Sequence, residues 1–151
     1  MHLLFRDKFI DIDVKFDIIN KKREDNIMEE CFFCKSIKNK DFELENEYAI
    51  ARFDDFPVNN GHLEIIPKRH VKDWWNINLE EKIAIFNLLD EAKIIIDKQY
   101  NPDGYNIGMN LGEEAGQSVM HLHVHLIPRY RGDVENPRGG VRGIIPEKQN
   151  Y

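Results

Sequence analysis

The 151-residue chain has no excess of positive charge: 21 Lys and Arg stand against 27 Asp and Glu, for a formal charge of -6. That excludes the basic footprint of a nonspecific nucleic-acid binder and leaves room only for a local anion site. Long apolar runs are missing as well. Those present are short and broken by charge, and Met1 to Asn20 carries acidic residues where a signal peptide needs an uninterrupted apolar centre. Neither a membrane span nor an export signal is expected, and the protein is read as cytosolic. Cysteine is almost absent. Cys31 and Cys34, in CFFC, are the only two, and a reducing compartment leaves them metal binding or redox chemistry rather than a structural disulfide. Internal repeats and low-complexity tracts are also lacking. A chain of this length is most simply one domain, burying about 70% of its unfolded surface without a staple.

Residues 1–30 mix charge with apolar residues at spacings compatible with a strand, a short helix or an appended arm, and are read as an extension. From Asn46 the pattern sharpens. NEYAIARFDD reads as a strand, FPVNNG as a turn and HLEIIP as a second strand closed by Pro67, together a hairpin. Asn78 and Glu81 have capping-box spacing, and Leu79, Ile83, Phe86, Leu89 and Ala92 recur at helical intervals, predicting a helix from Leu79 to Tyr100 stopped by NPDG. GYNIGMN is a further strand, LGEEAGQS a glycine-punctuated loop, and VMHLHVHLIP an alternating strand ended by Pro128. The pattern predicts an α+β fold, an antiparallel sheet of about five strands with one long helix packed on it. Residues 31–131 form the expected domain, and 132–151, rich in Gly, Pro and Arg, a loop-like tail.

In the last strand Met120, Leu122, Val124 and Leu126 share one face, while His121, His123 and His125 share the other, about 6.6 Å apart. One histidine on a wet face is ordinary; three in succession point to function. Two chemistries compete: His-x-His chelation of a catalytic zinc with an open position, or a neutral imidazole acting as nucleophile on phosphorus. Asn110, Gly112, Gly116, Gln117 and Ser118, just ahead of the histidines, supply amides, tight turns and a hydroxyl. Those groups suit a phosphoryl oxygen better than a metal-bound water.

These residues, GQSVMHLHVHLIPR after NLGEEA, resemble the signature of the histidine triad superfamily, and the likeness spans roughly Cys31 to Arg131. The resemblance is to the bacterial triad hydrolases, related to the fragile-histidine-triad dinucleoside polyphosphate hydrolases and the nucleoside phosphoramidases. It implies a homodimer and a two-step nucleotidyl transfer. His123 matches the nucleophile that takes the nucleotidyl group, and His125 the residue assisting the leaving group. Asn110, Gln117 and Ser118 match phosphate-contacting positions, and Asp54 a carboxylate toward ribose. Phe53 and Ile65 are candidates for the base pocket. Two further outcomes of the same intermediate fit: transfer to another acceptor, as in a phosphorylase or nucleotidyltransferase, and a nucleotide-binding interaction module whose catalysis is incidental.

The C-x-x-C is half of a tetrahedral zinc site. Zinc-bearing members of the superfamily complete it with a His in the IPKxH position and the first triad histidine, which implies a structural zinc on Cys31, Cys34, His70 and His121, with His62 in reserve. Arg129, Arg131, Arg138 and Arg142 follow the triad and are candidates for holding the distal part of a polyphosphate.

Overall fold

The computed structural model describes residues 7–150. Five strands, β1 (Leu44–Glu45), β2 (Ala49–Phe53), β3 (Leu63–Pro67), β4 (Gly104–Gly108) and β5 (Val124–Arg129), form one sheet in the order β1-β2-β3-β5-β4. Every neighbouring pair is antiparallel. This is the α+β architecture expected. Among the described residues no helix is long and apolar enough to cross a membrane.

Helix α3 (Leu79–Tyr100) packs on one face of the sheet. Its start is fixed by the expected capping box: Asn78 Oδ1 accepts from the Glu81 N–H at 2.8 Å, and a Glu81 carboxylate oxygen accepts from the Asn78 N–H at 2.9 Å. The face it buries is Ala84, Ile85, Leu88, Leu89, Ala92 and Ile96. Of the apolar stripe read from the sequence, Leu89 and Ala92 lie on that face; Leu79, Ile83 and Phe86 are 66%, 50% and 56% exposed. The helix is apolar around much of its circumference, so spacing alone does not choose the face.

Strand parity sorts the remaining side chains. Ala49, Ala51, Leu63, Ile65, Leu122, Val124 and Leu126 join the α3 core. Ile50 and Ile66 point the other way and pack with Phe33. Phe33 comes from α2 (Phe32–Asn39), which follows α1 (Asp7–Glu30). The choice left open for the N-terminal segment thus falls to helix; its first six residues lie outside the described residues. Because α2 covers only part of the second face, the rest, carrying Arg52, Glu64 and His125, forms the floor of a cleft.

The strand expected from Val119 begins at Val124. The Leu122 N–H donates to the Val71 carbonyl at 2.6 Å, diverting the chain from the β3 ladder while keeping the in–out alternation. The tail is more ordered than expected, with 3₁₀ turns at Gly140–Ile144 and Pro146–Lys148.

Candidate functional site

The cleft measures about 1130 Å³, beyond the roughly 300–1,000 Å³ usual for a drug-sized ligand. His123 and His125 lie on its floor, with Asp54 and His62 at one side and Asn110, Gly116 and Ser118 at the other. Val141, Ile144 and Ile145 of the tail form an apolar wall.

The hydrogen bonds around the two triad rings set the tautomer of His123 directly and tie that of His125 to His62. His123 donates its Nδ1–H to the main-chain carbonyl of His121 at 2.9 Å. Its Nε2 therefore carries the lone pair in the neutral ring. His125 Nδ1 lies 3.0 Å from His62 Nε2, and His62 Nδ1 faces the Val58 N–H at 3.4 Å. A neutral His62 that accepts from Val58 donates through Nε2 to His125, which leaves His125 Nε2 as an N–H donor. Asp54 Oδ2 stands 3.4 Å from His62 Nδ1 and 4.0 Å from His125 Nδ1, ready to stabilise the pair when it carries a proton.

Burial keeps these rings neutral. Desolvation is the main cause that lowers His62 and His123 from the ordinary imidazole value and takes His125 down to about 4, with the neighbouring histidines adding to the effect at His62 and His125. A buried neutral imidazole is a nucleophile with its lone pair already available at neutral pH.

His121 is fully buried and turned away from this chemistry. Its Nδ1 lies 3.5 Å from Cys31 Sγ and 3.6 Å from Cys34 Sγ, and His70 Nδ1 lies 3.3 Å from Cys34 Sγ. All four donor atoms fall within 4.8 Å of one another. A tetrahedral zinc with Zn–S of about 2.3 Å and Zn–N of about 2.0–2.1 Å has S···N edges of roughly 3.5 Å, so the donor set fits. His121 Nε2–H donates to the Pro67 carbonyl at 2.8 Å, which aims Nδ1 at the sulfurs. Arg69, beside His70, is clamped bidentately by Glu81 at 2.8 Å. Burial and the adjacent Cys31 push the Cys34 thiol up to about 12, so an ion must displace its proton to bind. A second metal-competent cluster among the described residues is Asp54, His62 and His125, and His123 belongs to neither.

Several expected site residues stand elsewhere. Ile65 is wholly buried in the α3 core, and Phe53 packs edge-on against Tyr100 at 6.4 Å, so neither reaches the cleft. Both have the odd parity of β2 and β3, and the cleft takes the even one. Gln117 is buried with its amide spent: Oε1 accepts from Gly112 N–H and Nε2 donates to the Lys72 carbonyl, both at 2.8 Å. It holds the loop rather than lining the cleft. The N–H groups of Ala115, Gly116 and Gln117 close onto Gly112 and Glu113 carbonyls, while the side chains of Asn110 and Ser118 line the cleft, Asn110 Nδ2 also donating to the Gly116 carbonyl at 3.5 Å. Arg129 is engaged by Asp133 at 2.7 and 2.8 Å and by Asn106 at 2.6 Å. His62, weighed above as a reserve metal ligand, lies apart from the Cys31–Cys34–His70–His121 cluster and groups with Asp54 and His125, whose donor atoms also fall within 4.8 Å of one another; its sequence signal is its position closing the first hairpin turn, opposite the triad strand.

The HIT domain family model matches residues 36–132, and the chain belongs to that family. A HIT-like protein of Mycoplasma pneumoniae is 37% identical over 66% of this chain and 72% of its own length. A Bis(5'-adenosyl)-triphosphatase of Saccharomyces cerevisiae is 34% identical over 66% of this chain and 49% of its own length. For an AP-4-A phosphorylase of Mycobacterium tuberculosis the figures are 38%, 57% and 44%. Among solved structures, a HIT family protein from Bacillus anthracis superposes with a TM-score of 0.65 at 37% identity, covering 69% of this chain and 76% of that one. A Zn-bound histidine triad protein from Mycobacterium smegmatis gives 0.66 at 27% identity, covering 72% and 81%.

Proposed function

We propose that this chain is a nucleotidyl hydrolase that cleaves dinucleoside polyphosphates or nucleoside phosphoramidates at the α-phosphate through a covalent nucleotidyl-histidine. The observation that carries the reading is the 2.9 Å bond from His123 Nδ1–H to the His121 carbonyl, which commits the Nε2 lone pair to the cleft. In the first step His123 Nε2 forms a bond to the α-phosphorus while the phosphorus bond to the leaving oxygen or nitrogen breaks. When the His62–His125 pair carries the proton that Asp54 stabilises, His125 gives it to the leaving group through Nε2 and is left neutral. In the second step a water oxygen bonds to phosphorus, its proton passes to His125, and the P–N bond to His123 breaks, releasing the mononucleotide. Asn110 and Ser118 donate to the nonbridging oxygens, and Asp54 accepts from the ribose while facing His62. A relative bearing the name of a dinucleoside triphosphatase supports the substrate class.

The test is His123→Ala, assayed on diadenosine polyphosphates with nucleotide binding measured separately. Turnover should fall by about 10⁴-fold or more, the scale of deleting a covalent nucleophile, while binding persists. Hydrolysis at the wild-type rate ends the reading. The similarity to an AP-4-A phosphorylase favours a second reading, in which orthophosphate replaces water as the acceptor; products formed with and without orthophosphate separate the two.

The reading includes a structural zinc on Cys31, Cys34, His70 and His121, a closed tetrahedral site that would pin α2 to the segment entering β5 and supply no open position. The Zn-bound relative supports it. It also includes a homodimer, for which β4 offers an unpaired outer edge and a half-exposed Ile107. Sedimentation and metal analysis test these two parts.

A further inference from the structure

The cleft floor holds two charged side chains, Arg52 and Glu64, that the hydrolytic steps do not use. Arg52 pairs with Glu64 across β2 and β3, and Glu64 pairs with His125 across β3 and β5. The three side chains lie on one rung of the sheet, on the same face. With strands about 4.8 Å apart, Glu64 is one strand from His125 and Arg52 two, roughly 10 Å. A nucleotide whose phosphate is at His123 can therefore lay its nucleoside along this row.

The row is not suited to phosphate. Arg52 is buried and ringed by acids: Asp55 at 2.8 Å, Glu64 at 3.4 Å and Asp41 at 3.6 Å. Its charge is more than offset, and a polyanion placed here would meet net negative charge. A group rich in N–H donors would not. The Arg52–Glu64 contact is long, which leaves the Glu64 carboxyl with acceptor capacity, while Arg52 Nε is buried with no hydrogen-bond partner. Burial and the nearby Asp54 outweigh Arg52 and lift Glu64 to about 7, a mark of a carboxyl short of donors. Beside the row stands Phe32, one ring face turned to the Arg52 guanidinium carbon at 4.9 Å and the residue 43% exposed, which leaves aromatic surface next to the guanidinium for a base to stack on.

We infer that Arg52, Glu64 and Phe32 form a base-reading subsite that takes guanine. Guanine presents two adjacent donors, N1–H and the N2 amino group, to the two oxygens of Glu64. Its O6 accepts from arginine, and its ring stacks on Phe32. Adenine offers one donor and one acceptor on that edge and leaves an oxygen of the ionised carboxylate unpaired in a buried site, so the discrimination is read at about pH 8, where Glu64 is charged. The inference rests on the nucleotide reading above and names the base that it left open.

The experiment is calorimetric titration of the full chain with GMP and with AMP, for wild type and Glu64→Gln. Wild type should bind GMP at least about tenfold more tightly than AMP, the lower end of what a bidentate base contact supplies. In Glu64→Gln the carboxamide presents one acceptor and one donor, so the ratio should move toward AMP by a similar factor. Equal affinities in wild type, or a ratio unmoved by Glu64→Gln, overturn the base assignment and leave the nucleotide reading standing. Wild type that binds neither nucleotide overturns both. The wild-type ratio decides the matter even where the variant does not fold.

Discussion

The main-chain carbonyl of His121 receives the Nδ1–H of His123 at 2.9 Å, while the ring of His121 faces Cys31 and Cys34 at 3.5 and 3.6 Å. One residue thus belongs to the metal-competent cluster and sets the orientation of the nucleophile. Removing the proposed zinc, by a strong chelator or by Cys34→Ser, should lower stability and turnover together. A site occupied about a thousandfold above its dissociation constant contributes about 4 kcal/mol, so Tm should drop on the order of 10 °C. Calorimetry and activity recorded on the same chelated sample check this; unchanged Tm in a sample shown to have lost its metal contradicts it.

His62→Ala removes the Nε2–H donor that fixes His125. We expect kcat to fall roughly 10–100-fold with KM little altered, less than the full effect of losing a general acid. A pH–rate profile adds a second readout: without its 3.0 Å partner, His125 has no fixed tautomer and the acid limb should shift. A KM effect with unchanged kcat would place His62 in binding instead.

Acid should destabilise the fold through its buried histidines before the ordinary carboxylates titrate; Glu64, lifted to about 7, opposes the trend as one group against three. His62, His123 and His125 are lowered mainly by burial, His125 to about 4. Between the unfolded imidazole value near 6.5 and those folded values, the unfolded chain binds more protons than the native one. Stability is then full above about pH 6.5 and declines as pH falls toward 4. Urea midpoints at intervals from pH 7.5 to 4.5 measure it, and a flat profile refutes it.

Gly61→Ala tests the hairpin turn that delivers His62. Gly61 has φ +83°, and an added Cβ would lie 2.8 Å from Tyr100 Cδ2 and 3.3 Å from Ile96 Cγ2. Positive φ and the clash together should cost about 1–3 kcal/mol. Denaturant unfolding gives the number, and turnover should fall with it as His62 shifts.

What the sequence revealed follows from how local each signal is. The capping box at Asn78 and Glu81 and the hairpin around Pro57 and Gly61 are set by neighbours within a few residues, and both stand where expected. The alternation through His121, His123 and His125 survives even where β5 has not begun, because Leu122 is still anchored inward. Phe53 and Ile65 face the α3 core rather than the cleft, and composition hides this because β2 and β3 are covered on both faces. Their burial is nearly continuous, so composition does not reveal parity, and only the register Arg52↔Glu64↔His125 does. Gln117 was assigned to phosphate from its neighbourhood; its amide is consumed by Lys72, 45 residues away, a contact no local pattern announces. The helical course of α1 and α2 was ambiguous because mixed charged and apolar spacing fits more than one element.

The orientation of His123 comes from backbone, whereas Arg52 and Glu64 contribute to the cleft only through their side chains, on two other strands. On the base assignment inferred above, exchange at positions 52 and 64 alters which molecules are accepted without disturbing the proposed reacting nitrogen. A descendant of this protein can change its diet by a pair of substitutions and inherit its reactivity intact.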